Sequence, residues 1–195
     1  FPYTTLFRSP YRPQLLQTMQ WPNVSLLYAD VDGTYSNHEA DPTIAANMYD
    51  LKQQVITTPA ALGIGLDGDG DRMVPMTKEG NLVPGDQLLA LFAQKVVTEH
   101  PASTIVFDIK SSAGLVELIQ QWGGIPIMSP SGHSIIKDMM FKHHALLGGE
   151  LSCHFFFKDR YFGYDDGIYA ILRLCEIIQA SHASLTSLLK IFPLY

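Results

Sequence analysis

Three aspartates alternate with glycines and lead into an arginine near the middle of the chain, in the run Asp67-Gly68-Asp69-Gly70-Asp71-Arg72. Carboxylate oxygens are ligands that hard divalent cations prefer, and the intervening glycines add no bulk that would block a cation. The arginine adds a permanent charge that can pair with two oxygens at once. A divalent cation beside a guanidinium suits phosphate chemistry, so this loop predicts a metal site that handles a phosphate group.

Two other interpretations of the acidic loop are weaker. An EF-hand also begins with alternating aspartates, but it requires glycine at the sixth position and glutamate at the twelfth, where this chain has Arg72 and Lys78. A solvated acidic turn without a metal would crowd three carboxylates that repel one another. The sequence therefore favours a metal loop.

The elements around this loop follow an α/β pattern. The apolar run 60–66 predicts a buried strand, which puts the acidic loop at the carboxyl end of a strand, where α/β sheets bind ligands. Further strands are predicted near residues 24–29, 73–76, 104–107 and 125–128. Helices are predicted near residues 44–55, 87–99 with Asp86 as N-cap, 113–122 and, in the tail, 177–192. A second α/β unit is expected to begin near residue 82.

Composition limits the classes of function. A chain of 195 residues with 47% hydrophobic content can bury a sizeable core. Its net charge of −6 provides no basic stripe, which argues against a nucleic-acid partner. Two cysteines are too few for a disulfide framework, and the sequence shows neither an export leader nor a long apolar span. We therefore expect a cytoplasmic protein without a membrane partner.

A phosphatase is a competing interpretation. The segment Asp30-Val31-Asp32-Gly33-Thr34 follows an apolar run and resembles the nucleophile motif of haloacid-dehalogenase-like phosphatases, and residues 68–71 resemble their metal motif. In such an enzyme Asp30 and Asp32 would be the nucleophile and the acid. Only about thirty residues separate the two segments, which is too few for the core elements that such a domain places between them.

A second motif favours a family other than the phosphatases. Gly149-Glu150-Leu151-Ser152-Cys153-His154 lies downstream of the acidic loop. The two motifs, in this order, resemble the α-D-phosphohexomutases, specifically the bacterial phosphomannomutase/phosphoglucomutase type. Further matches lie at residues 107–110, 131–134 with Lys137, and 159–163, so the resemblance covers residues 23–179.

The resemblance implies two consecutive α/β/α units with mixed sheets, as a fragment of a four-domain enzyme. Residues 11–82 would be most of the second domain, with 11–21 a remnant of its first helix, and residues 83–195 the third domain and the start of the linker to the fourth. Residues 1–10 fit neither the expected strand nor its turn, so we expect a non-native tail there. The family's phosphoserine motif, Thr-Ala-Ser-His-Asn-Pro, does not occur in the sequence, so we expect this chain alone to be inactive.

The activity that the resemblance implies is transfer of a phosphoryl group between an enzyme phosphoserine and a hexose phosphate. Mannose or glucose 1-phosphate and 6-phosphate would interconvert through a bisphosphate. Mg²⁺ would be held by Asp67, Asp69 and Asp71. The catalytic residues would be Arg72, His154 and Lys110. The residues that bind substrate would be Glu150, Ser152, His133, Ser131 and Gly132.

Cys153 departs from the family pattern. The family's sugar-binding loop, which residues 149–154 resemble, normally has glycine at this position. If that glycine has a positive φ, cysteine would strain the loop by about 1–2 kcal/mol. A different class of function is also compatible with the sequence, in which the chain is a metal- or sugar-phosphate-binding module without turnover.

Overall fold

A computed structural model describes residues 4–6, 18, 23–30 and 32–193. The predicted α/β class with mixed sheets is confirmed, and the chain divides into two compact units. The first comprises residues 1–83 and 184–186, and the second comprises residues 84–183 and 187–195. The sequence-based domain boundaries stay a prediction. Within the described residues, no helix combines the length and hydropathy needed to cross a membrane.

The first unit contains a four-stranded sheet in the order β2-β1-β3-β4. Its strands are β1 (Thr4–Leu6), β2 (Val24–Leu26), β3 (Leu62–Leu66) and β4 (Met73–Thr77). Strand β1 is parallel to both β2 and β3, and β3 and β4 form an antiparallel hairpin. A 3₁₀ turn (Ala45–Met48) continues into helix α1 (Tyr49–Thr57). All residues of β3 and β4 are buried, so these strands form the centre of this core.

The second unit repeats this topology with the order β6-β5-β7-β8. Its strands are β5 (Thr104–Asp108), β6 (Ile125–Ser129), β7 (Leu147–Gly149) and β8 (Phe155–Phe157). Strand β5 is parallel to β6 and β7, whereas β7 and β8 are antiparallel. Its helices are α2 (Gly85–Glu99), α3 (Ala113–Gln121), α4 (His133–Lys142) and α5 (Gly167–Ser181). The chain ends with α6 (Leu185–Leu188) and a 3₁₀ turn (Leu189–Ile191).

Helix α2 fills the core of the second unit because its apolar residues recur at helical spacing. Leu88, Leu89, Phe92 and Val96 are fully buried. The ring of Phe92 makes edge contacts with two rings of β8, with centroids 5.1 and 5.0 Å away. Aromatic pairs favour this geometry, so α2 is fixed against the strand that follows the 150–154 loop.

Several predicted elements need correction. Residues 4–6 form strand β1 between two neighbours, although the sequence predicted no strand there. The strand predicted over 24–29 ends at Leu26, and the helix predicted over 44–55 consists of the 3₁₀ turn and α1. The helix predicted at residues 11–21 lies outside the described residues, apart from residue 18.

The predicted N-cap at Asp86 is wrong. Helix α2 begins at Gly85, two residues earlier than predicted, and Pro84 is the N-cap. The Asp86 carboxylate accepts hydrogen bonds from the backbone N–H groups of Gln87 (2.9 Å) and Ser112 (3.1 Å). Asp86 therefore connects the start of α2 to the start of α3.

The tail helix predicted over residues 177–192 is also wrong, because α5 ends at Ser181. His182 has a φ of 53°, a left-handed conformation that closes a helix. The Ser181 hydroxyl accepts a hydrogen bond from the N–H of Ala183 (3.2 Å), which competes with continuation of the helix. Ser181 thus lies at a helix end.

Gly85→Ala should destabilise the second unit. A Cβ at Gly85 would lie 2.6 Å from the carbonyl oxygens of both Glu150 and Leu151, so the backbone of the 150–154 loop would have to move. We expect a loss of about 1–3 kcal/mol in the free energy of unfolding, measured in urea by circular dichroism. Gly33→Ala is the matched control, because nothing lies within 4 Å of that Cβ, and its change should stay within about 0.5 kcal/mol. Equal stability of the two variants would show that Gly85 is not constrained.

Candidate active-site loops

The acidic loop of the first unit connects β3 to β4. Asp67 follows β3 directly and is only 4% exposed, whereas Asp69 is exposed and Asp71 is half-buried. One carboxylate oxygen from each of the three residues lies within 4.8 Å of the others. Two ligands of one cation are separated by at most twice the metal–oxygen distance, which is about 4–5 Å for Mg²⁺ or Ca²⁺. The donor set therefore fits a divalent cation.

Asp67 shapes the loop from inside. Its Oδ1 accepts hydrogen bonds from the backbone N–H groups of Gly70 (3.0 Å) and Arg72 (3.2 Å). Its Oδ2 accepts a hydrogen bond from Nε of Arg72 at 2.7 Å. This one buried carboxylate thus holds the backbone turn and the guanidinium together.

Arg72 has a second acidic partner, which the sequence did not identify as a site residue. Nη1 of Arg72 lies 3.4 Å from Oδ1 of Asp41, which also accepts hydrogen bonds from N–H (3.0 Å) and Oγ1 (2.7 Å) of Thr43. Burial acts to lower the pKa of Arg72, but the hydrogen bond and charge of Asp67 outweigh it and the net pKa is raised. Burial likewise opposes ionisation of Asp41, yet Thr43 and Arg72 lower its pKa overall. The guanidinium therefore stays charged between two carboxylates.

The second unit brings the other predicted site residues to one edge of its sheet. Strands β5, β6 and β7 are parallel, and each is followed by a loop that contains part of the predicted site. Lys110 follows β5. Ser131, Gly132 and His133 follow β6. Glu150, Ser152 and His154 follow β7. Because the carboxyl ends of parallel strands share one edge, sequence segments far apart converge there.

Glu150 connects two of these loops. It is 4% exposed, and its Oε1 accepts a hydrogen bond from the backbone N–H of Gly132 at 2.7 Å. Gly132 has a φ of 131°, which only glycine adopts without strain, and it is the N-cap of α4. The N–H of Glu150 donates to the carbonyl of His154 (3.0 Å), which closes the loop on itself.

His154 is held through one ring nitrogen. Its Nδ1 is hydrogen-bonded to Oγ of Ser152 at 2.9 Å and lies 3.4 Å from Oε2 of Glu150. The ring of His133 stacks beside it, with centroids 6.3 Å apart and an interplanar angle of 27°. Lys110 is exposed just past β5, and no hydrogen bond joins it to the described residues of this group.

Asp108 organises this edge and was not predicted as a site residue. It is 1% exposed and is the last residue of β5. Its Oδ1 accepts hydrogen bonds from Oγ of Ser111 (2.9 Å) and N–H of Leu151 (3.1 Å), and its Oδ2 accepts one from Oγ of Ser131 (3.0 Å). One carboxylate therefore connects the loops after three strands. A carboxylate that ends a buried strand is the sequence signal that could have identified it.

Cys153 has a left-handed backbone conformation, which is unfavourable for a residue other than glycine. Its φ is 70°, and its side chain is buried. Its N–H donates to the carbonyl of Glu150 at 3.0 Å, so this tight turn depends on the left-handed conformation. This positive φ is the condition on which the expected strain depends, and the strain itself stays a prediction.

The phosphatase interpretation is not favoured. Asp32 accepts four hydrogen bonds, from the backbone N–H and hydroxyl groups of Thr34 and Ser36. These bonds, with those of the Ser36 and Thr34 hydroxyls strongest, lower the pKa of Asp32 and keep it ionised. A general acid must be protonated, so this geometry is that of a turn. Asp30 lies on an exposed bend beyond β2.

Comparison with protein families identifies the two units. The model for phosphoglucomutase/phosphomannomutase α/β/α domain II matches residues 7–80, and the model for domain III of that family matches residues 84–195. The chain belongs to the phosphoglucomutase/phosphomannomutase family. The acidic loop therefore lies in the segment that matches domain II, and the 150–154 loop lies in the segment that matches domain III.

Curated relatives in this family are similar over most of this chain. A phosphomannomutase/phosphoglucomutase of Pseudomonas syringae is 46% identical over 181 residues, which is 93% of this chain and 39% of the relative. A phosphoglucomutase of Neisseria meningitidis is 46% identical over 158 residues, 81% of this chain and 34% of the relative. The chain thus spans about two fifths of the length of the curated relatives it matches.

Solved structures in the family share the fold. A phosphoglucomutase/phosphomannomutase family protein of Burkholderia thailandensis matches with a TM-score of 0.90 and 34% identity, over 100% of this chain and 43% of that chain. An Aspergillus fumigatus N-acetylphosphoglucosamine mutase, described in complex with GlcNAc-6P and magnesium, matches with a TM-score of 0.73 and 14% identity. The match covers 99% of this chain and 49% of the Aspergillus chain, and at this identity it supports the fold alone.

An alanine variant is usually more stable than a glycine variant, but the strain at Cys153 predicts the opposite order of stability at this position. A left-handed conformation costs a non-glycine residue about 1–2 kcal/mol, whereas glycine's flexibility costs about 0.5–1 kcal/mol relative to alanine. Cys153→Gly should therefore be more stable than Cys153→Ala by up to about 1 kcal/mol in urea unfolding.

Cys175 provides the matched control, because it is also buried but lies inside helix α5. There Cys175→Gly should be less stable than Cys175→Ala by about 1 kcal/mol. The same ranking at both positions would contradict the strain at Cys153.

Proposed function

We propose that the whole protein to which this chain belongs interconverts hexose 1-phosphate and hexose 6-phosphate, as a phosphomannomutase/phosphoglucomutase. Its substrates would be mannose and glucose phosphates, with a hexose bisphosphate as the intermediate. The observation that carries the proposal is the acidic loop, in which three carboxylates converge within 4.8 Å beside a guanidinium fixed by Asp67. The names of curated relatives 46% identical to this chain support it.

Asp67, Asp69 and Asp71 would hold Mg²⁺. When bound, the ion would offset negative charge on the phosphoryl group that is transferred. The support from this chain is its donor set, because three carboxylates supply hard oxygens and their spacing suits one ion. Asp67 contributes a buried, oriented oxygen, and the exposed Asp69 can adjust to the ion.

Arg72 would bind oxygens of the phosphate group. Its guanidinium can donate two parallel hydrogen bonds, a geometry that lysine does not have. Because Asp67 and Asp41 each contact it, the side chain is oriented before a ligand arrives. This lowers the entropy that binding would otherwise cost.

Glu150 and Ser152 would bind the sugar hydroxyls. A carboxylate oxygen has two acceptor positions, so Glu150 can accept from a hydroxyl while it keeps its bond to Gly132. The Ser152 hydroxyl both donates and accepts. Ser131 and Gly132 would shape this subsite through their bonds to Asp108 and Glu150.

His154 would move a proton at the attacking or leaving oxygen. Its Nδ1 contacts Ser152 and Glu150, which orients the ring, and an imidazole titrates near neutral pH, as a proton-transfer group should. His133 and Lys110 would contact the sugar or its phosphate. We further propose that the phosphoserine donor comes from outside these 195 residues, that this chain alone does not turn over substrate, and that the protein is cytoplasmic.

Titration calorimetry with MgCl₂ tests the metal loop directly. We expect the chain to bind one divalent cation, and Asp69→Asn to weaken that binding at least tenfold because one of three anionic ligands is lost. Asp30→Asn is the matched control, since it removes one exposed aspartate charge from the same unit, and its affinity should be unchanged. If Asp30→Asn abolishes binding and Asp69→Asn does not, the metal belongs to the phosphatase-like segment and the proposal is wrong.

A further inference from the structure

A buried carboxylate outside the predicted site faces two residues of helix α4. Asp165 precedes α5, and a backbone bridge to Phe156 fixes it beside β8. Its side chain is 9% exposed. Oδ1 accepts a hydrogen bond from Nζ of Lys137 at 3.3 Å, and Oδ2 lies 3.6 Å from Nδ1 of His133. His133 and Lys137 are one helical turn apart, so one carboxylate reaches both.

The second oxygen of Asp165 has an incomplete environment. Oδ2 is buried and has no hydrogen-bond partner among the described residues, although a buried acceptor is costly to leave unsatisfied. Nδ1 of His133 lies 3.6 Å from this oxygen, slightly beyond hydrogen-bond distance, and a ring nitrogen of His154 lies within 4.8 Å of the Asp165 carboxylate. The His133 side chain is 59% exposed, so its ring has room for the small rotation that closes this gap.

We infer that Asp165 is a positioning residue for the hexose phosphate site. Its carboxylate accepts a hydrogen bond from Nδ1–H of His133 and contacts Lys137, so that Nε2 of His133 faces the ligand. This inference rests on the proposed function. The carboxylate determines which ring nitrogen carries the proton and how the ring is oriented, as hydrogen-bond acceptors beside many functional histidines do. Without Asp165 the exposed imidazole would sample several rotamers, and ligand binding would have to restrict them.

The tautomer of His133 tests the contact without reference to substrate. In ¹H–¹⁵N long-range spectra of the imidazole rings, with His133→Asn used for assignment, we expect His133 to carry its proton on Nδ1. Asp165→Leu, which is close in shape and accepts no hydrogen bond, should shift the proton toward Nε2. Asp138→Leu makes the same substitution at an exposed position of α4 and should leave the tautomer unchanged. An unchanged tautomer in Asp165→Leu would overturn the inference.

Binding of glucose 6-phosphate, followed by amide chemical shifts, tests the role in the site. We expect Asp165→Leu to weaken binding about tenfold, and to weaken it less than twofold further when His133→Asn is already present, because Asp165 acts through His133. Independent effects of the two substitutions would overturn the inference. If the leucine variant does not fold, Asp165→Asn replaces it, because its single carbonyl oxygen cannot serve both His133 and Lys137.

These measurements distinguish failure of the proposed sugar site from failure of the role of Asp165 alone. If the wild-type chain does not bind glucose 6-phosphate at millimolar concentration, the proposed sugar site fails and the inference fails with it. If the wild-type chain binds it and Asp165→Leu binds it equally well, the proposed function stands and only the role of Asp165 is wrong. Asp138→Leu should bind like wild type in either case.

Discussion

Buried carboxylates that accept backbone N–H groups organise both loops of this chain. Asp67 accepts the N–H groups of Gly70 and Arg72, Asp108 accepts that of Leu151, and Glu150 accepts that of Gly132. Charge-assisted hydrogen bonds of this kind are stronger than neutral ones, and each buried carboxylate would be costly without them. The carboxylates that shape these loops include two of the residues in the proposed function, Asp67 as a metal ligand and Glu150 as a sugar ligand.

The repeated topology explains why these carboxylates converge. In each unit the central strand is parallel to both neighbours, and an antiparallel strand follows at one edge. In the second unit, Asp108 ends the central strand, and Ser129 ends β6 opposite it in register. The pairing of the strands thus brings together the loops that follow them. Close packing completes the arrangement, because Gly85 at the start of α2 leaves no space for a Cβ between that helix and the 150–154 loop.

Much of this could be predicted from the sequence, because motifs and apolar runs are local. Strand β3 was predicted from its apolar run, and a glycine at the position of Cys153 in the family raised the question of a positive φ, which the structure has there. Asp108 and Asp165 were missed as site residues, because their importance depends on partners that are distant in sequence, such as Leu151 and His133. The start of α2 was misplaced because Asp86 resembles an N-cap, while its carboxylate bonds to α3. Strand β1 was missed because its pairing with β2 and β3 is a tertiary contact.

The most direct test is an activity assay of the gene product that contains this chain, prepared at full length. Glucose 1-phosphate and mannose 1-phosphate would be supplied with Mg²⁺ and a hexose bisphosphate primer, and both isomerisation and phosphate release would be followed. We expect hexose 6-phosphate as product, with activity reduced at least a hundredfold by Asp69→Asn and retained in Asp30→Asn. Phosphate release without isomerisation, abolished by Asp30→Asn, would rule out the proposed mutase function and assign the chemistry to Asp30 and Asp32.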